Sequence, residues 1–330
     1  MTTEAVAIAQ AAQGPAFIGI FINVMLYGAM LTQTFFYYST YKHDPTWLKF
    51  YVAILFLADT VNTVFDCAWI YGVLINNFGN IAALGVGNLL FQTDQAMTGI
   101  ISMQVQFFYA WRIHKLTGNK LLVGAVLISS AVGGLSGIGT AIGVGILPQL
   151  AGLQRLTVIV SLWLAGSAAS DVIIASALTW HLNKQRTGFA YTDSMVSKIM
   201  TLILSNGALT AVFAVADLIA YLASIKGYHL IFNFSLAKLY GNSAMSSLNA
   251  RVILKNAASS STSQGEAAPR ATASRLQNDI IKSGSGRPTQ IMVAVETHEL
   301  TDVSDQDAKL RMEWQTHSVA SDVKGEIVAV

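Results

Sequence analysis

Asp59, Asp66, Asp171, Asp217 and Lys238 each carry charge inside a stretch that is otherwise apolar. A charged side chain at the centre of a bilayer costs about 2.5–3.5 kcal/mol on insertion scales, so such groups mark ion pairs, proton or solute paths, or ligand sites. Asp59, Asn62 and Asp66 follow i, i+3, i+7 spacing, which puts all three on one helix face. Counted at 1.5 Å per residue from the outer ends of their segments, Lys238 lies about 15 Å in, Asp66 about 13 Å and Asp217 about 10 Å, against about 24 Å for Asp59 and about 22 Å for Asp171. Two sites follow from these depths. Asp66, Asp217, Lys238 and Asn233 form an outer candidate site for a ligand or an ion pair, with Lys238 paired to Asp66 or to Asp217. Asp59, Asn62 and Asp171 form an inner polar site, in which Asp59 approaches Asp171.

Two chemistries fit the outer site. One is a structural ion pair that fixes helix rotation. The other is a polar cavity open to the outside that takes a small ligand, and four aspartates against one lysine exceed what simple neutralisation needs. A lysine in the last apolar stretch also invites a retinal Schiff base, since a desolvated amine can become nucleophilic. The third stretch, however, offers no carboxylate counter-ion over 100–106 of the kind microbial rhodopsins share. No cofactor is expected. His-Glu-x-x-His, Gly-x-Ser-x-Gly and the Gly-Lys-Ser/Thr phosphate loop are all missing from the sequence, so neither a metal centre nor an enzyme is expected.

These residues need helices that cross a membrane. The chain of 330 residues is 53% hydrophobic and only 12% charged, about half the charge of a soluble domain, and its mean hydropathy is +0.50. About 20 apolar residues span a bilayer core as helix. Seven such runs appear, at about 16–38, 48–74, 95–113, 121–147, 156–181, 198–223 and 228–250. The third and seventh are diluted by Gln104, Gln106, Asn233, Asn242 and Asn249. Pro15 is read as preceding the first run, and no proline as interrupting one. The fold expected is an all-α integral membrane bundle of seven helices over 1–255. Gly133/Gly137 and Gly139/Gly143 in the fourth run have the small-xxx-small spacing that lets helices approach closely; the same missing side chains could instead leave room for a ligand.

Basic residues of short loops stay cytoplasmic. Lys42, Lys49, Arg112, Lys115, Lys120, Lys184, Arg186, Lys198, Arg251 and Lys255 fall on one side, and Arg155 and Lys226 on the other. The N-terminus is therefore expected outside and the C-terminus in the cytoplasm. Residues 256–330, rich in Ser, Gly and mixed charge, read as a disordered cytoplasmic tail. The expected partners are the lipid bilayer, a small-molecule ligand, and a cytoplasmic protein met by the basic loops and tail. The net charge of +2 makes no case for nucleic acid.

Three stretches carry a resemblance: Tyr71 to Asn80, Gln106 to Ile113 and Phe234 to Ser243. Through them the chain, over about 15–255, resembles the seven-helix membrane proteins of basidiomycete fungi that carry a C-terminal domain of unknown function, which would fall at roughly 165–251. The resemblance implies a multi-pass fungal membrane protein and carries no role onto any residue. From topology and polar residues together, the leading expectation is a receptor-like or sensory protein, most consistent with the plasma membrane. The rivals are a small-solute or proton-coupled transporter, in which the aspartates would form a path across the bilayer, and a structural membrane protein that does not signal.

Overall fold

The computed structural model describes residues 3–251 except 79, 81–85, 148–153, 187–189 and 225–226; the tail expected at 256–330 lies outside the described residues. Helix α1 runs Thr3–Thr40 and α2 Thr46–Tyr71, the latter continuing into a π turn at Gly72–Asn76. Then come α3 at Leu89–Thr117, α4 at Lys120–Ile146, α5 at Thr157–Lys184, α6 at Ala190–Ala223 and α7 over 229–251. The α3–α4 corner shows how tightly the sequence sets a boundary. Gly118 takes φ 65°, a left-handed conformation that glycine adopts without strain, and ends α3. Asn119 then caps α4, its side-chain oxygen accepting from the backbone N–H groups of Leu121 and Leu122.

Five stretches are long and apolar enough to cross a membrane by length and composition: Gln13–Thr40, Thr46–Asn76, Lys120–Ile146, Gln154–Lys184 and Val196–Ala223. They lie in α1, α2, α4, α5 and α6, and they mark a multi-pass membrane protein. Their outward faces carry large exposed apolar side chains such as Phe21, Phe35, Leu57, Ile128, Leu135 and Val212, as contact with lipid requires. Helices α3 and α7 do not reach that apolarity, and for α7 burial supplies the reason. No residue of 229–251 is exposed. Side chains of α7 bond to α1, α2, α3 and α5, so its polar residues meet protein rather than acyl chains.

Helices adjacent in sequence pack on one another from α1 to α6, and α3 also packs on α5. The glycines of α4 serve that packing on two sides. A Cβ on Gly99 of α3 would lie 2.8 Å from the Gly134 carbonyl oxygen, and one on Gly166 of α5 would lie 3.0 Å from the Gly133 nitrogen. Asn242 and Asn249 of α7 donate to the Leu26 and Gln33 carbonyls of α1 at 3.0 and 2.9 Å. The step is seven residues on both helices, so α1 and α7 run parallel and in register.

Boundaries depart from expectation at the starts of α1, α3 and α6, the last beginning at Ala190 against an expected 198. Pro15 lies inside α1 rather than ahead of it; its ring nitrogen forfeits one helical hydrogen bond, and the helix continues through it. Helix α3 begins at Leu89, six residues before the expected start, because Asn88 caps it by accepting from Phe91 N–H at 3.1 Å.

Candidate functional site

Lys238 has no exposed surface. Its ammonium donates to Asp59 Oδ1 at 3.0 Å, the Asp59 carbonyl at 2.8 Å and Asn62 Oδ1 at 2.8 Å. Three N–H donors thus meet three acceptors, the condition under which a buried amine is tolerated. The partner is Asp59, which differs from the expected Asp66 or Asp217. Counting along each helix assumes flush ends, whereas α2 runs on through its π turn to Asn76 and α7 starts only at 229. Contact confirms the true level: a Cβ on Gly241 would sit 2.5 Å from Asp59 Oδ2. Only glycine lets α7 come that close to the carboxylate.

Asn62 passes the network on. Its amide nitrogen donates to Asp94 Oδ1 at 3.0 Å. Asn23 of α1 donates to Asp66 Oδ2 at 3.0 Å and to the Phe234 carbonyl at 2.8 Å. Asp59, Asn62 and Asp66 therefore do share the interior face that their spacing predicts, and all three are buried. Asp66 meets Asn23 rather than the lysine.

Asp171 stands apart from this network. Gln106 donates to its Oδ1 at 2.8 Å and Tyr240 to its Oδ2 at 2.9 Å. Asp59 and Asp171, expected to approach each other, are met by different faces of α7, since residues 238 and 240 lie about 200° apart on a helix. A small cavity beside Asp171, lined also by Tyr109, Thr210 and Ser243, offers about 20 Å³ to the centre of a water-sized sphere.

Asp217 is different in kind. It is 1% exposed, and neither of its carboxylate oxygens has a hydrogen-bond partner among the described residues. It lines a second cavity where α6 gives way to α7, together with His229 and Asn233 of α7 and the rings of Phe91, Trp163 and Tyr221. His229 Nδ1, Asn233 Oδ1 and the Trp163 indole nitrogen are likewise unpaired. The space open to the centre of a water-sized sphere is about 30 Å³, enough for about two waters. Buried polar atoms are bonded in nearly all proteins, so four unpaired groups around one cavity call for an occupant. Asp217 and Asn233 thus line one cavity, while Lys238 and Asp66 belong to the network beside it. The Asn233-Phe234-Ser235 glycosylation sequon is buried in α7, where no glycan can be attached.

At the opposite end of α7, Arg251 donates to Asp44 Oδ2 at 2.7 Å and lies 4.3 Å from the centre of the Tyr41 ring. Burial would raise the Asp44 carboxyl; hydrogen bonds from Arg251 and Tyr37 outweigh it and hold the group below its ordinary value. Arg112 bonds to Ser247 nearby. These contacts close the α1–α2 loop onto the end of α7.

Sequence reasoning missed Asp94, Asn23, Gln106 and Tyr240. Asp94 lies within α3 and has no exposed surface; the Asn88 cap ahead of Leu89-Leu90-Phe91 was its available signal. The other three carry no charge, and a search for ionisable groups in apolar stretches passes over them.

Residues 167–253 match a family described as of unknown function, DUF6534. The match takes in most of α5 and all of α6 and α7, and so Asp171, Asp217, Asn233 and Lys238, but not Asp59, Asn62 or Asp66. No curated protein and no solved structure matches the chain. The apolar helices and this match together describe a multi-pass membrane protein of unknown function; of the cavity lining, Asp217, Tyr221, His229 and Asn233 fall within the match, and the residues from α3, α4 and α5 fall outside it.

Proposed function

We propose that the chain is a receptor-like or sensory protein that crosses the plasma membrane seven times, N-terminus outside, and binds a small ligand in the cavity bounded by Asp217, His229 and Asn233. It binds rather than catalyses. The observation that carries this reading is Asp217, buried with both oxygens unpaired beside a space large enough for a small solute. The topology is supported by the parallel register of α1 and α7, which suits an odd number of alternating crossings, and by ten basic residues against two in the expected loops. That orientation puts the cavity in the outer half. It puts Arg112 and Arg251, which bracket the far end of α7, at the cytoplasmic surface beside the loops that would meet a protein partner. A single enclosed helix thus joins the cavity to that surface. The family reading is that of the basidiomycete seven-helix proteins that the three sequence stretches resemble.

A transporter is the second reading, favoured by the separate cavity at Asp171 on another face of α7. One experiment divides the two. The full chain, with Cys67→Ser and one cysteine placed at Lys184, is labelled with an environment-sensitive dye in proteoliposomes and exposed to methylammonium, formate and formamide. A saturable dye response without uptake of the same solute supports the sensor. Uptake that Asp171→Asn abolishes supports the transporter. Silence of the dye and of uptake for all three solutes overturns the ligand-binding reading.

A further inference from the structure

We infer that the α6–α7 cavity takes a small alkylammonium cation, from ammonium itself to ethylammonium; this rests on the reading of that cavity as a ligand site. Charge is the first reason. The buried acidic and basic side chains among the described residues are Asp59, Asp66, Asp94, Asp171, Asp217 and Lys238. Lys238 gives all three protons to Asp59 and Asn62, and no lysine or arginine lines the Asp217 cavity, whose one basic side chain is the His229 imidazole. An anionic ligand would find no cationic side chain of lysine or arginine in this cavity, whereas a cation would pair with the Asp217 carboxylate.

Hydrogen bonding narrows the class. The cavity presents the two Asp217 oxygens and Asn233 Oδ1 as unpaired acceptors against one unpaired obligate donor, the Trp163 indole N–H; acceptors predominate, and a primary ammonium has three N–H groups to give. A hydroxyl has one. The remaining wall decides between an organic and a metal cation. Phe91, Trp163 and Tyr221 offer ring surface, which attracts ammonium groups through their quadrupoles. A hard metal ion needs a shell of about six or more oxygen ligands, charged ones foremost; Gln95, Thr140 and Tyr221 add only neutral oxygens to Asp217 and Asn233, and the described residues hold no cluster of three or more His, Cys, Asp or Glu that could hold a metal ion.

Size completes the argument. About 30 Å³ open to a water-sized sphere corresponds to two waters, or to a solute of about two or three heavy atoms. Methylammonium and ethylammonium fit, and tetramethylammonium does not. Ligands this small reach dissociation constants in about the millimolar range at best.

Thermal unfolding of the full chain in nanodiscs, titrated through millimolar salt at constant ionic strength, tests the inference. Methylammonium and ethylammonium chloride are expected to raise the midpoint saturably, while sodium, tetramethylammonium, formate and formamide leave it where it was. Asp217→Asn is expected to weaken the response about ten- to a hundredfold, the loss of a hydrogen bond to a charged group. Thr140 of α4 also lines the cavity; Thr140→Met, which fills it and keeps every ionisable group, should also abolish the response, and keeps the test open if the Asp217 variant does not fold. Equal stabilisation by sodium, or a full response in Asp217→Asn, overturns the inference. Preference for formate or formamide overturns the cation class and leaves the cavity a ligand site. No response to any solute removes both.

Discussion

Lys238 and Asp217 are buried to the same degree, yet every proton of the lysine has an acceptor and neither oxygen of the aspartate has a donor. Burial of charge in a membrane protein therefore does not by itself identify a functional group. What separates the two is satisfaction. The Lys238–Asp59 pair behaves as a fastener between α7 and α2, whereas Asp217 keeps its bonding capacity for something outside the chain.

The contrast makes the same substitution act differently at the two places. Asp59→Asn, or Lys238→Met, leaves one buried charge without its partner and should cost about 3–5 kcal/mol, read as a loss of folded fraction in detergent titration. The double variant should recover most of that loss, and failure to do so would remove the fastener. Gly241→Ala pushes a methyl group against Asp59 Oδ2, on the carboxylate whose other oxygen Lys238 holds; overpacking of this kind costs about 1–3 kcal/mol, and a parallel Gly28→Ala, with open space around it, is the control that should show no such loss. Asp217→Asn should change stability by less than about 1 kcal/mol. If instead it costs as much as Asp59→Asn, Asp217 is a structural group after all.

The smallest effect concerns pH. Asp44 titrates below its ordinary value of 3.8, so its bonds with Arg251 and Tyr37 contribute stability that is complete above that value. The contribution is lost as pH falls through the lowered one. Arg251 is partly exposed, and the contribution is modest. Unfolding midpoints of wild type and Asp44→Asn should converge on acidification, and parallel curves would show that the clamp contributes nothing.

Much of the fold is legible in the sequence because lipid imposes a strong rule: a helix facing acyl chains must be apolar along its whole length. Helices α1, α2, α4, α5 and α6 obey it, and their positions match the expected runs to within a few residues except at the start of α1 and α6, which extend further. The rule weakens for α7, whose surroundings are protein, and for α3, which buries Asp94, Gln95 and Gln106 while exposing Ile100, Phe107 and Trp111. There the start of α3 moved by six residues and carried Asp94 out of view. The interior face of Asp59, Asn62 and Asp66 is readable because helical spacing is local. The partner of Lys238 is not, because it depends on how far two distant helix ends are offset. The unpaired state of Asp217 has no sequence signal at all; it is a property of what fails to reach it.

The paired asparagines of α7 have a mechanical corollary. Asn242 and Asn249 hang on main-chain carbonyls of α1 one heptad apart, and Asn23 reaches back to the main chain at Phe234. Three rungs of this kind weld the first and last helices into a two-rail strut. Any displacement of α7 started at its His229 end must drag α1 with it, so the outermost segment of the chain would report motion at the cavity.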